Sequence, residues 1–407
     1  MNNIDADIIV VGAGLVGIAA AVSFAKKAND KTKRIVLIDQ NNPNTKLTPA
    51  FDSRIYAISP STVNWFKELD VWPMIDAARI NPIKAMHIFG DANSSELKLL
   101  ASDANAVNLG YIVENQQLMH ALRQKLHLLN IQVMAGVACE SLTTSPQKIS
   151  LTLANKQVIN AALVVAADGV DSWVRTQVNI PVKNKTYQQM AIVANFKCEI
   201  AHQDIAEQWF GSAEHGSDSV LAFLPLPNNQ ISIVWSVATA KAHQLLDLSD
   251  DDFAHQVLLQ SAAKLGSLKL LSPRMSFDLN KKTCTRLITG RVVLVGDAAH
   301  QIHPMAGQGV NLGFRDVMAL EQVLFGSQSD VSKARVTATN DFGNNRSLRE
   351  YERARAADIV SMMSLTDGLH QLFSATAGIV KTLRNWGLSS MDQQLQIKKY
   401  LIQQVMN

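Results

Sequence analysis

The feature that most constrains the fold is a glycine-rich turn placed between a strand and a helix near residue 10. The run Ile8–Val11 is continuously apolar and β-branched, which is typical of a buried parallel strand. Gly12, Gly14 and Gly17 follow at once, and the alanine-rich stretch Ile18–Lys27 predicts a helix. A lone glycine fingerprint is a weak signal, but together with the flanking strand and helix it predicts the start of a βαβ unit.

The next strand supplies the residue that this kind of turn needs. Ile35–Ile38 predicts a second buried strand, and it ends at Asp39, 22 residues beyond Gly17. Gly12 permits the tight turn, Gly14 lets a pyrophosphate approach the backbone, and Gly17 allows close packing of helix on strand. A carboxylate at position 39 would bind ribose hydroxyls. The segment therefore predicts a dinucleotide-binding site.

A second glycine-rich motif follows another predicted buried strand, Val292–Val295. It reads Gly296-Asp297-Ala298-Ala299-His300, then Pro304, then Gly307-Gln308-Gly309-Val310-Asn311. A strand that ends in Gly-Asp can place its carboxylate on a ribitol or ribose hydroxyl. The glycines downstream would expose backbone N–H groups at the start of the next helix, where they favour negative charge.

A third motif, Ala167-Asp168-Gly169-Val170-Asp171-Ser172 with Arg175 behind it, follows the predicted strand Leu163–Ala166. Taken alone, Asp168-Gly169 is more often a turn than a functional site.

In order and spacing, the three motifs resemble the fingerprints of class A flavoprotein aromatic hydroxylases, the para-hydroxybenzoate hydroxylase type. A narrower likeness, to the hydroxylases of ubiquinone biosynthesis, covers about residues 5–390 and is weakest in the insertion at 180–280. Its markers are Asp52–Ser59, Ile112–Asn115, Tyr351–Arg355, Thr366–Leu369 with Leu372 and Phe373, and Arg384 with Gly387 and Leu388.

The resemblance implies roles for individual residues. Asp168-Gly169 would touch both FAD and NAD(P)H, Arg54 would lie near the pyrophosphate or the flavin, and Pro304 would lie beside the isoalloxazine ring. Asn115 stands where relatives often have Arg or Gln facing the cofactor. The full expected cofactor-binding set is Gly12, Gly14, Gly17, Asp39, Arg54, Asn115, Asp168, Gly169, Gly296, Asp297, Pro304, Gly307, Gly309, Val310 and Asn311.

The activity implied is hydroxylation of a polyprenylated phenol with FAD, NAD(P)H and O2 through a flavin hydroperoxide, without a metal or a covalent nucleophile. His300, His303 and Pro304 are candidate catalytic residues. A histidine could deprotonate the phenol, but the alternative that His300 and His303 are hydrogen-bonded structural residues is favoured. Two other functions stay open: hydroxylation of a small soluble phenol or aromatic acid, and a non-catalytic flavoprotein scaffold.

The expected fold class is α/β, a Rossmann-like FAD-binding domain of the glutathione-reductase and para-hydroxybenzoate-hydroxylase type. Short alternating segments predict a mostly antiparallel β substrate domain that interrupts it, and the residues after Ala356 read as helical. The expected division is 1–80, 106–180 and 281–360 for FAD binding, 81–105 and 181–280 for the substrate, and 361–407 for a C-terminal helical segment.

Net charge, cysteine spacing and the distribution of apolar residues restrict the classes of partner and the cellular location that we expect. The formal charge of +3 is too small to argue for nucleic acid, and three widely spaced cysteines predict free thiols in a reducing cytoplasm. We expect no signal peptide, because Asp5 and Asp7 precede the first apolar run, and no membrane span. A lipid substrate implies contact with the inner face of a membrane or with a complex of ubiquinone-biosynthesis proteins, and a homo-oligomer is also expected. The stretch Gln393–Val405 predicts a helix that either meets such a surface or, more in keeping with its pattern, docks on its own domain.

Overall fold

The protein is described from a computed structural model. It describes residues 5–28, 34–42, 47–90, 96–212, 216–301, 309–326, 341–374, 392 and 394–406.

The strands, in chain order, are β1 Ala6–Val11, β2 Ile35–Asp39, β3 Ile55–Ile58, β4 Asn81–Ile83, β5 Ala85–Phe89, β6 Glu96–Leu100, β7 Gly110–Glu114, β8 Gln132–Ala135, β9 Cys139–Thr144, β10 Ile149–Leu153, β11 Val158–Ala166, β12 Val182–Cys198, β13 Ile205–Ser212, β14 Gly216–Leu226, β15 Gln230–Ala238, β16 Leu268–Leu270, β17 Met275–Cys284, β18 Ile288–Thr289, β19 Val292–Leu294 and β20 His300–Gln301.

The helices are α1 Leu15–Ala28, α2 Pro60–Glu68, α3 Asn115–Leu128, α4 Trp173–Gln177, α5 Thr239–Leu246, α6 Asp250–Gln260, α7 Gly309–Phe325, α8 Asn345–Ser374 and α9, the C-terminal helix, Leu395–Met406. None of the helices in the described ranges combines the length and the apolar composition needed to cross a bilayer.

The first sheet has the strand order β18-β19-β11-β1-β2-β8, with β10 and β9 attached through β11. Neighbouring strands from β19 to β8 run parallel, so their carboxyl ends lie along one edge. β1 and β2 are almost wholly buried, as their continuous apolar sequences predict. Helices α3 and α7 contact α1 and help cover the sheet. The predicted βαβ unit is thus confirmed, in a mixed α/β fold.

The second sheet is mostly antiparallel and is organised around β12, a strand of 17 residues that pairs with β15, β16 and β17. One of its faces carries large apolar side chains that pack against α5 and α6. These two helices were not predicted, although Ser249 at the N-cap of α6 is a start signal, because the surrounding alternating segments favoured strands throughout. The strand β14 extends through Pro225, which pairs with Ile231, and ends at Leu226, directly before Pro227.

A small third sheet, in the order β3-β7-β4, contacts β14 of the second sheet. β4 belongs in sequence to the expected substrate domain, yet it pairs with β7. The opposite face of β12 reaches this region, because the Asn195 Nδ2 donates to the carbonyl oxygens of Phe51 and Asp52 at 3.2 and 3.0 Å. The segment that leads into Arg54 is therefore held by the second sheet.

Ser59 caps α2 through its side chain. Two helix predictions can be compared with the structure. α8 begins at Asn345, earlier than the predicted start after Ala356. α9 confirms the docked interpretation, since Ile402 is fully buried and the Lys398 Nζ lies 3.1 Å from Asp103 Oδ2.

A buried carboxyl in β13 predicts a pH dependence of stability. Burial, reinforced by the nearby Glu96 charge, raises the pKa of Glu207 from 4.5 to about 7. Between those values the folded state keeps a proton that the unfolded state has lost, so stability falls as pH rises from about 4.5 to about 7.

We expect Glu207→Gln to be more stable than the wild type by on the order of 2 kcal/mol at pH 8 and to match it near pH 4. Urea unfolding across this pH range measures the difference. Glu68→Gln, at an exposed position, is the matched control and should run parallel to the wild type at every pH. Parallel curves for Glu207→Gln as well would show that this carboxyl does not titrate with folding.

Candidate functional site

The three glycine-bearing motifs meet at one edge of the first sheet. They begin directly after β1, β11 and β19, which are parallel neighbours. Gly12 has φ +104°, and a Cβ there would lie 2.3 Å from the carbonyl oxygen of Ala167. A Cβ on Gly17 would lie 1.9 Å from the carbonyl oxygen of Gly12. Glycine is thus required at both positions by close backbone approach.

A cleft of about 320 Å³ opens above this edge, lined among others by Gly12, Gly14, Asp39, Asp168 and Gly169. A Cβ on Gly14 would meet nothing within 4 Å, so the backbone here faces open space at the start of α1. An anion can therefore approach the backbone and the positive end of the helix, which is the arrangement that binds a pyrophosphate.

Asp39 fixes the shape of the turn. Its Oδ2 accepts a hydrogen bond from the Ala13 N–H at 2.5 Å, and its Oδ1 accepts one from the Asn41 N–H at 2.7 Å. Each carboxylate oxygen has a second lone pair, so binding of ribose hydroxyls is compatible with these bonds.

Asp168 leaves an acceptor without a partner. Its Oδ2 accepts the Val174 N–H at 3.0 Å, while its Oδ1 is buried and has no hydrogen-bond partner within the described ranges. Burial raises the pKa of this carboxyl, although hydrogen bonds from Ser172 and Val174 oppose the effect. A buried acceptor beside a cleft is expected where a ligand hydroxyl donates the missing hydrogen bond.

A second cluster combines Asp297, Arg54 and Tyr56. The Arg54 guanidinium carbon lies 5.7 Å from the Tyr56 ring centroid. Desolvation by the surrounding protein raises the pKa of the Asp297 carboxyl, and the charges of His300 and Arg54 oppose this shift. The Asp297 side chain nevertheless reaches solvent. Burial also raises the pKa of Tyr56, and the charge of Asp297 adds to that shift.

The two clusters are joined by Val16 in the first turn of α1. Cβ atoms on Gly296 and Gly313 would lie 3.2 and 2.7 Å from the Val16 side chain. The first turn of α1, the Gly296 turn and α7 are therefore packed together closely enough for one extended ligand to touch all three.

Asp316, which sequence reasoning missed, organises the Gly296 turn. It is fully buried; its Oδ2 accepts from the Gly296 N–H at 2.8 Å and pairs with His300 Nε2 at 2.6 Å, and its Oδ1 accepts from Arg355 Nε at 2.7 Å. Burial opposes its ionisation, but His300 and Arg355 outweigh that effect and lower the pKa of the carboxyl. Asp316 follows Arg315 in α7, and these charges within a mostly apolar helix were the available signal.

His300 is buried, and its Nε2 is occupied by Asp316. This geometry favours the structural interpretation of His300 over the role of a free base. His303, Pro304 and Gly307 lie outside the described residues.

The start of α7 holds the strand that carries Arg54. The helix begins at Gly309, so Val310 and Asn311 lie in its first turn, as expected. The Asn311 Nδ2 donates to the Ala57 carbonyl at 2.7 Å, and its Oδ1 accepts the Ser59 N–H at 3.1 Å. The Asn311 side chain therefore positions β3. The backbone of Asn311, and not its side chain, is available to bind a ligand.

A second buried network, also missed, holds the loop before Arg54. Glu114 is fully buried and accepts from Arg79 at 2.6 Å through both oxygens, and from the Asp52 N–H at 2.7 Å. Asn115, an expected cofactor contact, donates its N–H to the Arg54 carbonyl at 2.9 Å. Asn115 thus lies next to Arg54 at the start of α3.

These features predict a specific effect at Gly14. We expect Gly14→Ala to leave the unfolding free energy of the apoprotein almost unchanged, because the added methyl meets open space. Binding of FAD should weaken by on the order of tenfold, since the methyl enters the space that the pyrophosphate needs. Quenching of flavin fluorescence during titration measures the affinity, and equal affinity in variant and wild type would place the pyrophosphate elsewhere.

The fold and the cleft at this edge of the first sheet define a dinucleotide-binding flavoprotein of the mixed α/β class. The family described as FAD binding domain matches residues 5–331. Ubiquinone hydroxylase UbiL of Rhodospirillum rubrum is 30% identical over 98% of this chain and 89% of its own length. The 3-demethoxyubiquinol 3-hydroxylase of Escherichia coli K12 is 30% identical over 97% of this chain and 96% of its own.

The chain therefore belongs to the FAD-dependent hydroxylase family of ubiquinone biosynthesis. Its fold is that of Pseudomonas aeruginosa PqsL in complex with 2-aminobenzoylacetate, with a TM-score of 0.77, 17% identity and coverage of 95% and 99% of the two chains. FAD is the cofactor of this family, and the open backbone at Gly14 and the unpaired Asp168 oxygen fit it.

Proposed function

We propose that this protein is an FAD-dependent monooxygenase that hydroxylates the aromatic ring of a polyprenylated phenol in ubiquinone biosynthesis, with NAD(P)H and O2 as co-substrates. The observation that carries the proposal is the 30% identity, over almost the whole chain, with two hydroxylases named for ubiquinone and demethoxyubiquinol. The convergence of the three motifs on one cleft supports it.

Bound FAD supplies the activation of oxygen and its transfer to the ring. The chain supplies binding and orientation. The backbone from Gly12 to Gly17 and the start of α1 would hold the pyrophosphate, and Asp39 the ribose. The Asp168 Oδ1 would accept a hydroxyl hydrogen bond. Asp297 would hold the ribityl hydroxyls, and the N–H groups at the start of α7 would stabilise negative charge on the ring system.

Orientation of Arg54 depends on side chains that hold the backbone on either side of it. Asn311, Glu114 and Asn195 fix the strand and loop on either side of it. We assign these three as positioning residues. His300 is assigned to the Asp316 network, and Arg54 is the exposed cation that faces Asp297.

The assignment of residue ranges to FAD and to the phenol is part of the same proposal. We propose that residues 1–80, 106–180 and 281–360 bind FAD, that 81–105 and 181–280 bind the phenol, and that 361–407 form a helical addition. The first sheet lies within the first set of ranges, and most of the second sheet lies within the second.

A polyprenylated substrate also implies a location. Such a lipid resides in a bilayer, so we propose that the protein works in the cytoplasm in peripheral contact with a membrane. Assembly with other enzymes of the pathway, and with a second copy of the chain, belongs to the same proposal.

The proposed activity is tested with the purified FAD-loaded protein, NADH or NADPH and a prenylated phenol under ¹⁸O2. The product should gain one oxygen-18 atom, detected by mass spectrometry, and NAD(P)H oxidation should accelerate when the phenol is added. Labelled product from a small soluble phenol but not from the prenylated one would favour the alternative substrate. No labelled product from either, with FAD bound, would contradict a hydroxylase.

A further inference from the structure

The segment from β16 into β17 exposes apolar side chains at alternate positions. Leu271, Met275 and Phe277 are 45%, 55% and 46% exposed, and Pro273 between them is exposed as well. Met275 and Phe277, both in β17, lie on one face of that strand. The solvent-facing side of an antiparallel sheet is normally polar, so a row of large exposed apolar groups indicates a contact surface.

The register shows which face carries this row. Phe277 pairs with Ala191 and Met275 with Val193, and Leu271 donates its N–H to the Asn195 carbonyl. Asn195 lies on the same face of β12 as Ala191 and Val193, and it contacts the loop before Arg54. The apolar row therefore lies on the face that turns toward the cofactor-binding side, opposite the face covered by α5 and α6.

Lysines flank the row at both ends of this face. Lys197 pairs with Lys269 at one end, and Lys185 pairs with Lys281 at the other. Lys282 projects from the other face of β17 and pairs with Asp171 at 2.8 Å. Asp278 also projects from that other face, so it does not lie between the row and the flanking lysines.

We propose that this face, made by Leu271, Met275 and Phe277 with the lysine pairs at its ends, rests on an anionic lipid bilayer. The inference rests on the proposed function, because a polyprenylated phenol must be drawn from a bilayer. Apolar side chains would enter the interface, and the lysines would lie at the level of anionic headgroups. The face would thereby bring the cofactor-binding side of the protein to the membrane that stores its substrate.

The test is co-sedimentation of the FAD-loaded full chain with phosphatidylcholine vesicles that contain or lack phosphatidylglycerol. The wild type should bind the anionic vesicles more tightly. Met275→Ser/Phe277→Ser and Lys185→Glu/Lys269→Glu should each weaken this binding by about tenfold or more. Circular dichroism of each variant establishes that lost binding does not reflect unfolding.

Controls make the outcome specific. Leu128→Ser, at a side chain that is 65% exposed at the end of α3, and Lys67→Glu, at an exposed lysine of α2, should bind vesicles like the wild type. Hydroxylation of a short-chain, water-soluble prenyl phenol by the FAD-loaded wild type separates the two claims. Its failure would contradict the proposed function and leave vesicle binding to be judged by itself.

Several results would overturn the proposal. Equal vesicle binding by wild type and both β17-face variants would do so, as would binding that ignores phosphatidylglycerol. Loss of binding in Lys399→Glu/Tyr400→Ser instead would move the contact to α9, whose Tyr400 is exposed. A lipid-free dimer that Met275→Ser/Phe277→Ser abolishes, observed by sedimentation velocity, would assign the face to a second copy of the chain.

Discussion

Gly12→Ala is expected to lower the free energy of unfolding by about 3–5 kcal/mol and to abolish retention of FAD. The added methyl would lie 2.3 Å from the Ala167 carbonyl oxygen, and the residue would keep a φ of +104° that L side chains rarely adopt. Relief of the clash requires β1 and β11 to separate at the edge where the cleft opens. Urea unfolding and the flavin content of the purified protein measure the two effects.

Gly14→Ala, two residues further on, is the matched control for Gly12→Ala. Both variants add one methyl to the same turn, but only position 12 is in backbone contact. If both variants unfolded at the same urea concentration, close packing of Gly12 on Ala167 would not be the cause.

Asp316→Ala is expected to destabilise the protein by about 3–5 kcal/mol, because it removes the fully buried carboxylate that pairs with Arg355 and His300 and leaves the buried Arg355 with Asp358 alone. The Gly296 N–H would also lose its acceptor, so the turn that carries Asp297 would shift. We therefore expect weaker FAD binding together with lower stability. Chemical unfolding of the apoprotein and titration with FAD measure these effects separately.

Asp316→Asn is the conservative comparison. It keeps an acceptor for one of the donors and removes only the charge, so its loss of stability should be smaller than that of Asp316→Ala. An Asp316→Ala variant as stable as the wild type would show that the network does not support the turn.

The sequence predicted the parts of the fold that depend on local pattern. Continuous apolar runs identified β1 and β2, and the glycine spacing identified the cleft edge. These signals are local because strand burial and backbone approach each involve a few consecutive residues. The resemblance of three separated motifs to one family then supplied the class of function.

What the sequence did not predict depends on contacts between distant segments. Asp316 and His300 meet Arg355 across α7 and α8, and Glu114 meets Arg79 across 35 residues. Pairings of this kind leave no periodic pattern in the sequence. Charged residues within mostly apolar segments were the only sign of them. The exposed apolar side chains of β17 could also not be predicted from the sequence. Their face is known only from the register of β17 on β12, because alternation alone does not tell which face of a sheet is covered.

The central claim is that this protein hydroxylates a prenylated phenol on the way to ubiquinone. It is tested most directly by mass spectrometry of the quinone lipids in cells from which the gene has been removed. The account predicts accumulation of a prenylated phenol that lacks one hydroxyl, with the missing mass identifying the step. An unchanged ubiquinone profile, in cells without a second hydroxylase of this family, would contradict it.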